Sequence, residues 1–155
     1  MKLDEAEKLA ENLMNQSWGG QPSLISQGWT FCWMRRKVVF GMCNYTKKQI
    51  SLSISYVELN DFELVNDTIR HEIAHGYSQG SGHGAAWRRL CRICGANPQR
   101  CKSWDVVKAD HKFEIVCGTC NKVVKKYFRR PTRQLSSCYH SSCGKGSILT
   151  LKKAG

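Results

Sequence analysis

A histidine-containing segment in the middle of the sequence has the residue types and spacing of a hydrolytic zinc site. His71 and His75 are four residues apart, so on a helix they would lie on one face, about 6 Å apart along the axis, and could share a zinc ion. Glu72 directly follows the first histidine, which would point its carboxylate beside the metal. There it can act as a general base on water without taking a coordination position. The segment predicts a catalytic zinc centre with Glu72 as the base.

His83 is the predicted third ligand of this zinc. A catalytic zinc ion normally takes three protein ligands and leaves a fourth position for water. His83 lies eight residues after His75, between two glycines that would let the backbone approach a metal closely. No Asp or Glu follows Glu72 before residue 96, so no carboxylate competes for the place on that side.

Cysteines near the C-terminus predict a second, structural zinc site in a zinc ribbon. Cys117 and Cys120 form a Cys-x2-Cys pair, and the segment CYHSSCG follows after 17 residues, within the spacing of such ribbons. Cys143 supplies a third ligand, and two residues compete for the fourth place. Thiolate chemistry favours Cys138, whereas the spacing of the tight turn before a glycine favours His140. We favour His140 and keep Cys138 as the alternative.

The remaining thiols are interpreted without a metal. Nine cysteines, an odd number, favour reduced thiols and metal ligands over disulfides, and so an intracellular protein. Cys91, Cys94 and Cys101 could join His111 in a third site, but the first two lie on a predicted helix, where buried thiols act as small hydrophobes. The cysteines of the predicted strands, Cys32 and Cys43, are interpreted as core residues.

The elements that must position these side chains can be predicted from the pattern of apolar residues. Residues 3–16 repeat apolar side chains at spacings of three and four, which predicts an amphipathic helix. Residues 28–56 alternate and predict three antiparallel strands. Asp61 can cap a helix that begins near Phe62 and carries the histidine pair to Tyr77.

The rest of the chain predicts a second, smaller domain. A helix ending at Gly95 is followed by a linker over residues 99–110, and short β-type runs begin at His111. The predicted fold class is α+β, with a catalytic domain over residues 1–109 and a small all-β zinc ribbon over residues 110–155. Such a short module lacks the apolar surface to fold without a metal.

Positive charge is concentrated in the C-terminal part. The net charge is +12, but residues 1–99 hold 11 Lys and Arg against 9 Asp and Glu, whereas residues 100–155 hold 13 against 3. This imbalance indicates a polyanionic partner, and we expect DNA. The candidate contacts lie between the two halves of the ribbon, where cationic side chains surround two rings that can stack on bases. They are Lys122, Lys125, Lys126, Tyr127, Phe128, Arg129, Arg130 and Arg133.

The segment HEIAHGYSQGSGHGAAWRRL resembles the core of the SprT-like metallopeptidases, the group that includes the Spartan proteases. In that family His-Glu-x-x-His is followed by a Gly-His-Gly third ligand and an aromatic-containing helix. The resemblance covers nearly the whole chain. It implies a zincin-like core with an N-terminal helix, a three-stranded sheet whose last strand, around QISLSISYVELN, runs beside the cleft, and a C-terminal zinc ribbon. It also implies endopeptidase activity on DNA-linked proteins.

These observations predict a zinc-dependent endopeptidase that cleaves DNA-associated proteins. The alternatives are a non-enzymatic, transcription-linked DNA-binding zinc protein and a zinc hydrolase for a small amide. The group that helps zinc to stabilise the oxyanion is left open among Tyr56, Tyr77 and the loop backbone. The strand ending at Tyr56 is expected to bind substrate by β-augmentation, which gives broad specificity. We expect no membrane association, a monomer, and a location in the cytoplasm and nucleoid or nucleus.

Overall fold

The computed structural model describes residues 1–99, 106–132 and 134–154. The chain divides into two compact units, Met1–Ala109 and Asp110–Gly155, and its fold mixes helices with two small sheets. The first unit contains α1 (Leu3–Met14), β1 (Thr30–Met34), β2 (Gly41–Asn44), β3 (Gln49–Ser53), α2 (Ile54–Leu59), α3 (Phe62–Tyr77) and α4 (Ala85–Cys94). The second contains β4 (Phe113–Cys117), β5 (Val123–Tyr127), a 3-10 turn (Ser141–Cys143) and β6 (Leu149–Lys153).

The sheet of the first unit is mixed, so the prediction of three antiparallel strands is wrong. Its order is β1-β3-β2, with β1 parallel and β2 antiparallel to β3. Ile50 and Leu52 of β3 are fully buried, and the serines beside them are buried too. The strand that is covered on both faces therefore takes the centre, between two half-exposed edges. Alternation in a sequence indicates which residues point inward, but it does not determine which strands pair.

The third strand is also shorter than predicted. It ends at Ser53, whose hydroxyl accepts a hydrogen bond from the backbone N–H of Tyr56 and so begins α2. Tyr56 therefore lies on a helix that follows the central strand. A serine hydroxyl can accept a hydrogen bond from a backbone N–H and so start a helix. It can do this even where the alternation of apolar residues predicts that the strand continues.

The core of the first unit holds α3 in place. Ala6, Ala10 and Leu13 form the buried face of α1, as the spacing of its apolar residues predicts, and this helix packs on α3. Ile69 and Ile73 are fully buried residues of α3 that complete the contact. The face of α3 that bears the histidines is thereby fixed relative to the sheet, since its opposite side is embedded in close-packed apolar side chains.

The second unit is built on a three-stranded antiparallel sheet of order β5-β4-β6. Only the central strand contributes buried apolar residues among those described here, namely Ile115, Val116 and Cys117. This interior is small for a folded unit.

None of the helices in the described ranges combines the length and hydropathy that a membrane span requires.

Candidate active site

Helix α3 presents two histidines and a glutamate to an open cleft. Asp61 caps the helix, and its carboxylate accepts a hydrogen bond of 3.0 Å from the backbone N–H of Leu64. His71 and Glu72 are 7% and 8% exposed, respectively, which is unusual for ionisable side chains. Buried polar groups of this kind need partners. His71 lies beside the ring of His83, and Glu72 accepts a hydrogen bond from the backbone of Cys43.

His83 completes a cluster of three imidazoles. After α3 ends, Gly80 and Gly82 adopt positive φ angles of 80° and 52°, which turn the chain back toward the helix. The Nε2 atom of His83 lies 3.2 Å from Nε2 of His75 and 3.3 Å from Nε2 of His71. In a tetrahedral zinc site, ligand atoms lie roughly 3.3–3.8 Å apart. The three nitrogens thus have the spacing of zinc ligands, and together they could hold a metal ion.

The electrostatics of the cluster favour a metal over protons. Burial, followed by repulsion from the neighbouring imidazoles, lowers the pKa of both His71 and His75 to about 4. Both rings are therefore neutral at pH 7 and have a lone pair to donate. A neutral imidazole is the form that binds zinc.

Trp87 supports all three imidazoles, a role that sequence reasoning missed. Its ring centroid lies 4.7 Å from that of His71, 5.3 Å from His75 and 4.5 Å from His83, and the side chain is fully buried. It is near the start of α4, four residues after His83. The one available signal was a tryptophan on the apolar face of a helix so close to a ligand.

Glu72 lies beside the histidines with a perturbed acidity. Burial raises the pKa of its carboxyl to about 8, against a smaller lowering effect of a hydrogen bond from the backbone of Cys43. Without a nearby cation this carboxyl is therefore largely protonated at pH 7. A cation held by the neighbouring histidines would favour the ionised form of this carboxyl, which is the form that accepts a proton.

The cleft around these residues is a cavity of about 450 Å³, and its far wall is β2 with the residues beside it. Sequence reasoning missed this wall, and it treated Cys43 as a core residue. Non-local contacts bring these residues to the site, so no short motif marks them. The lining residues are Phe40, Gly41, Cys43, Tyr45 and Thr68, together with His71, Glu72, His75 and His83.

The two tyrosines considered for oxyanion stabilisation do not line this cleft. The hydroxyl of Tyr56 donates to the carbonyl of Leu64 at 2.8 Å and lies 2.7 Å from the hydroxyl of Thr68. The hydroxyl of Tyr77 contacts two backbone carbonyls near the N-terminus. Both side chains serve packing, and the phenol in the cleft is that of Tyr45.

A second cluster, here called the cysteine cluster, consists of Cys117, Cys120, His140 and Cys143. The Nδ1 atom of His140 lies 3.4 Å from Sγ of Cys120 and 3.3 Å from Sγ of Cys143. The donor atoms of all four residues lie within 4.8 Å of one another, which is compatible with zinc. Cys138 is outside the cluster, and its Sγ faces the carbonyl of Gln134 at 3.8 Å.

Local hydrogen bonds explain why the imidazole enters the cysteine cluster. The backbone N–H of His140 donates to the hydroxyl of Ser147 at 2.8 Å, and its carbonyl accepts from Cys143 and Gly144. Burial opposes ionisation of Cys117, but hydrogen bonds from the backbone of Cys120 and Thr119 outweigh it and lower the pKa of the thiol to about 6. A thiolate is the form that coordinates a metal.

Three of the predicted DNA-contacting residues, Lys125, Lys126 and Tyr127, lie in β5, and they are divided between its two faces. Lys125 pairs with Ile115 across the sheet and lies 5.4 Å from the ring centre of Tyr127, whereas Lys126 points to the other face and forms a 3.1 Å salt bridge with Glu114. Phe128 stacks on His111 with ring centroids 4.3 Å apart. The remaining members of the described set, Lys122, Arg129 and Arg130, are exposed, while Arg133 lies outside the described residues.

The suggested third cysteine site is not assembled by the residues that the structure describes. Cys91 and Cys94 are fully buried in α4, Cys101 lies outside the described ranges, and His111 is stacked on Phe128. Cys32 is half-buried in β1, with its thiol 3.0 Å from the hydroxyl of Ser51.

A sequence model of one protein family, described as the SprT-like family, matches residues 6–107. The match includes the three histidines and Glu72 and ends before the cysteine cluster. No curated protein and no solved structure matches the chain.

Proposed function

The chain belongs to the SprT-like family, and on this premise we propose that it is a zinc-dependent endopeptidase with Glu72 as its general base. The observation that carries the proposal is the convergence of three imidazole nitrogens beside a buried carboxyl in an open cleft. These are the parts that metal-assisted amide hydrolysis requires, within a zincin-like core built on α1, the mixed sheet and α3.

His71, His75 and His83 would hold the catalytic zinc through Nε2. When bound, the ion supplies a Lewis acid that activates water and polarises the scissile carbonyl. A carboxyl oxygen of Glu72 takes the proton of the attacking water and then delivers it to the leaving amine. The hydrogen bond from the backbone of Cys43 favours the ionised form of Glu72 and so helps it to begin the cycle as a base.

Tyr45 is our candidate for a second group that stabilises the oxyanion. It lines the cleft, its side chain is 38% exposed, and its phenol contacts the backbone of Gly80 in the loop that carries His83. Burial raises the pKa of this phenol, so its proton is retained at neutral pH and can be donated to a developing negative charge.

The cleft geometry suits an extended peptide. β2 is an edge strand of the sheet and forms one wall of the cavity. A substrate segment that adds to this edge would be recognised through its backbone, which permits broad sequence specificity. The substrate would therefore pair with β2 and not, as expected from the sequence, with the strand ending at Tyr56.

The second unit is proposed to carry a structural zinc in the cysteine cluster and to bind DNA. Its exposed cations, with the ring of Tyr127 beside Lys125, support contacts to phosphates and to a base. This unit would recruit the endopeptidase to DNA-associated proteins inside the cell. The salt bridge of Lys126 and the stacking of Phe128 make these two residues weaker candidates for contact than their neighbours.

The test is cleavage of an unfolded protein and of a DNA-binding protein by zinc-loaded enzyme, with and without DNA. Cleavage by the wild type but not by Glu72→Gln supports the peptidase, and stimulation by DNA supports recruitment. If the chain binds DNA but hydrolyses neither of the two proteins nor a small amide, the non-enzymatic alternative is favoured instead.

A further inference from the structure

Gly41, the first residue of β2, lies directly against Glu72. A Cβ atom built at this position would lie 2.7 Å from Oε1 of Glu72, 2.8 Å from its Cγ and 3.0 Å from its Cδ. Contacts this short are essentially absent from real structures. The steric clash involves Cγ of Glu72 as well as its carboxyl group. Because Glu72 is only 8% exposed, its side chain could not move aside without disturbing its neighbours.

The backbone does not require a glycine here. The φ angle of Gly41 is not among the positive values of the chain, and the residue pairs with Leu52 in regular antiparallel register. Glycine weakens a strand because it costs conformational entropy and offers no side chain for packing. The structural reason for glycine at this position is therefore the space that Glu72 occupies.

The same short strand also provides a hydrogen bond to the carboxylate. Cys43 lies two residues after Gly41, and its backbone hydrogen-bonds Glu72. β2 thus provides the carboxyl group of Glu72 with both the space left by Gly41 and a backbone hydrogen bond from Cys43.

We propose that Gly41 is a positioning residue, whose missing side chain lets Glu72 occupy the place from which it transfers protons. The contact itself is independent of the reaction, but its catalytic meaning rests on the proposed function. Misplacing a reacting group by about 1 Å costs on the order of 100-fold in rate.

The first test is Gly41→Ala. We expect kcat on a peptide to fall about 10- to 100-fold, while the zinc content of the active site stays unchanged because no zinc ligand is altered. Met42→Ala is the control, since it alters the same strand at a side chain that points the other way. Full activity of Gly41→Ala would overturn the proposal.

A double-mutant cycle with Glu72→Ala identifies the contact as the cause. Alanine lacks the Cγ, Cδ and carboxyl oxygens of Glu72, so it leaves room for a methyl group at position 41. Adding Gly41→Ala to Glu72→Ala should therefore cause no further loss of stability, whereas the same change destabilises the wild type. An equal loss in both backgrounds would show that Gly41 acts on the strand in general, which contradicts the proposal.

The cycle, measured as thermal stability, also separates this inference from the proposed function. Gly41→Ala should lower the melting temperature by about 4–8 °C when Glu72 is present and leave it unchanged in the Glu72→Ala background. If the cycle shows this coupling while zinc-loaded wild type hydrolyses nothing, the contact stands and the peptidase proposal fails. If the wild type hydrolyses peptides without such coupling, the positioning proposal fails alone.

Discussion

The histidine cluster and the cysteine cluster lie in units with very different interiors. Fourteen of the described residues of the first unit form one buried core, to which α3 contributes Val65, Ile69 and Ile73. The described part of the second unit buries Ile115, Val116 and Cys117 as its apolar residues. A packed scaffold can form its metal site in advance, whereas in a small module the free energy of metal binding is largely the free energy of folding. The comparison predicts that one metal serves chemistry and the other serves structure.

Removal of the metals should have the largest effect, and a different one on each unit. Removal of all metal should unfold residues 110–155 and leave residues 1–109 folded, since the apparent free energy of structural zinc binding is about 10–16 kcal/mol. Backbone NMR of the full chain after exhaustive chelation checks this, with re-added zinc as the control for reversibility. Survival of the β4 amide signals, or loss of those of α3, would contradict the assignment of roles.

The next effect concerns the chemistry of the first site. Glu72→Gln should reduce turnover at least about 100-fold while active-site zinc is retained, because the carboxyl moves protons and does not hold the metal. His83→Ala should reduce zinc affinity at the same site, since it leaves two protein ligands. Metal content and peptidase rate measured together distinguish the two; unchanged zinc affinity in His83→Ala would exclude that ligand.

Within the second unit, His140 and Cys138 should differ in their importance for the structural zinc. His140→Ala should lose structural zinc and unfold residues 110–155, whereas Cys138→Ser should retain both, because only His140 has its donor atom in the cluster. Zinc content and circular dichroism of the two variants provide the measurement. The reverse result would restore Cys138 as the fourth ligand.

A smaller effect is expected from surface charge. Changing Lys125, Arg129 and Arg130 to glutamate should weaken DNA binding and make the slope of log affinity against log salt shallower by roughly 2–3, because each phosphate contact releases about 0.7–0.9 counterions. Fluorescence anisotropy over a salt series measures the slope. Lys126→Glu should change it least, since this lysine is paired with Glu114; an unaltered slope in the triple variant would remove this surface as the DNA site.

The stability of the metal-free protein should depend on pH through Glu72. The pKa of Glu72 is raised to about 8 in the folded protein from the ordinary value of 4.5, so the folded state binds the extra proton between these values. The contribution of this carboxyl to the free energy of unfolding is therefore fully present below pH 4.5 and is lost as the pH rises through 8. Metal-free Glu72→Gln should therefore exceed the metal-free wild type in stability by up to about 4 kcal/mol at about pH 8, and differ little near pH 4.5.

Urea unfolding of both metal-free proteins at the two pH values checks this difference. The titration of His71 and His75 affects wild type and variant alike, so it cancels in the comparison. A constant difference across the pH range would mean that the carboxyl is not perturbed by burial.

The parts of the site that follow from local sequence were predictable, and those that follow from tertiary contacts were not. The four-residue spacing of His71 and His75 is meaningful as soon as a helix is assumed. Tyr45 and Gly41 reach the cleft only because β2 pairs with the central strand, and alternation in the sequence does not determine that pairing. The turn in which Ser147 holds the backbone of His140 likewise depends on residues that no spacing rule includes.

The position of Trp87 has a spectroscopic consequence. An indole ring whose centroid lies 4.5–5.3 Å from those of three imidazoles, and which is shielded from water, should change its fluorescence when a cation binds to those imidazoles. Emission from this one residue, isolated by replacing the other tryptophans with phenylalanine, would then follow the filling of the histidine cluster in real time. The fluorescence of Trp87 should thus report whether the histidine cluster holds a metal ion.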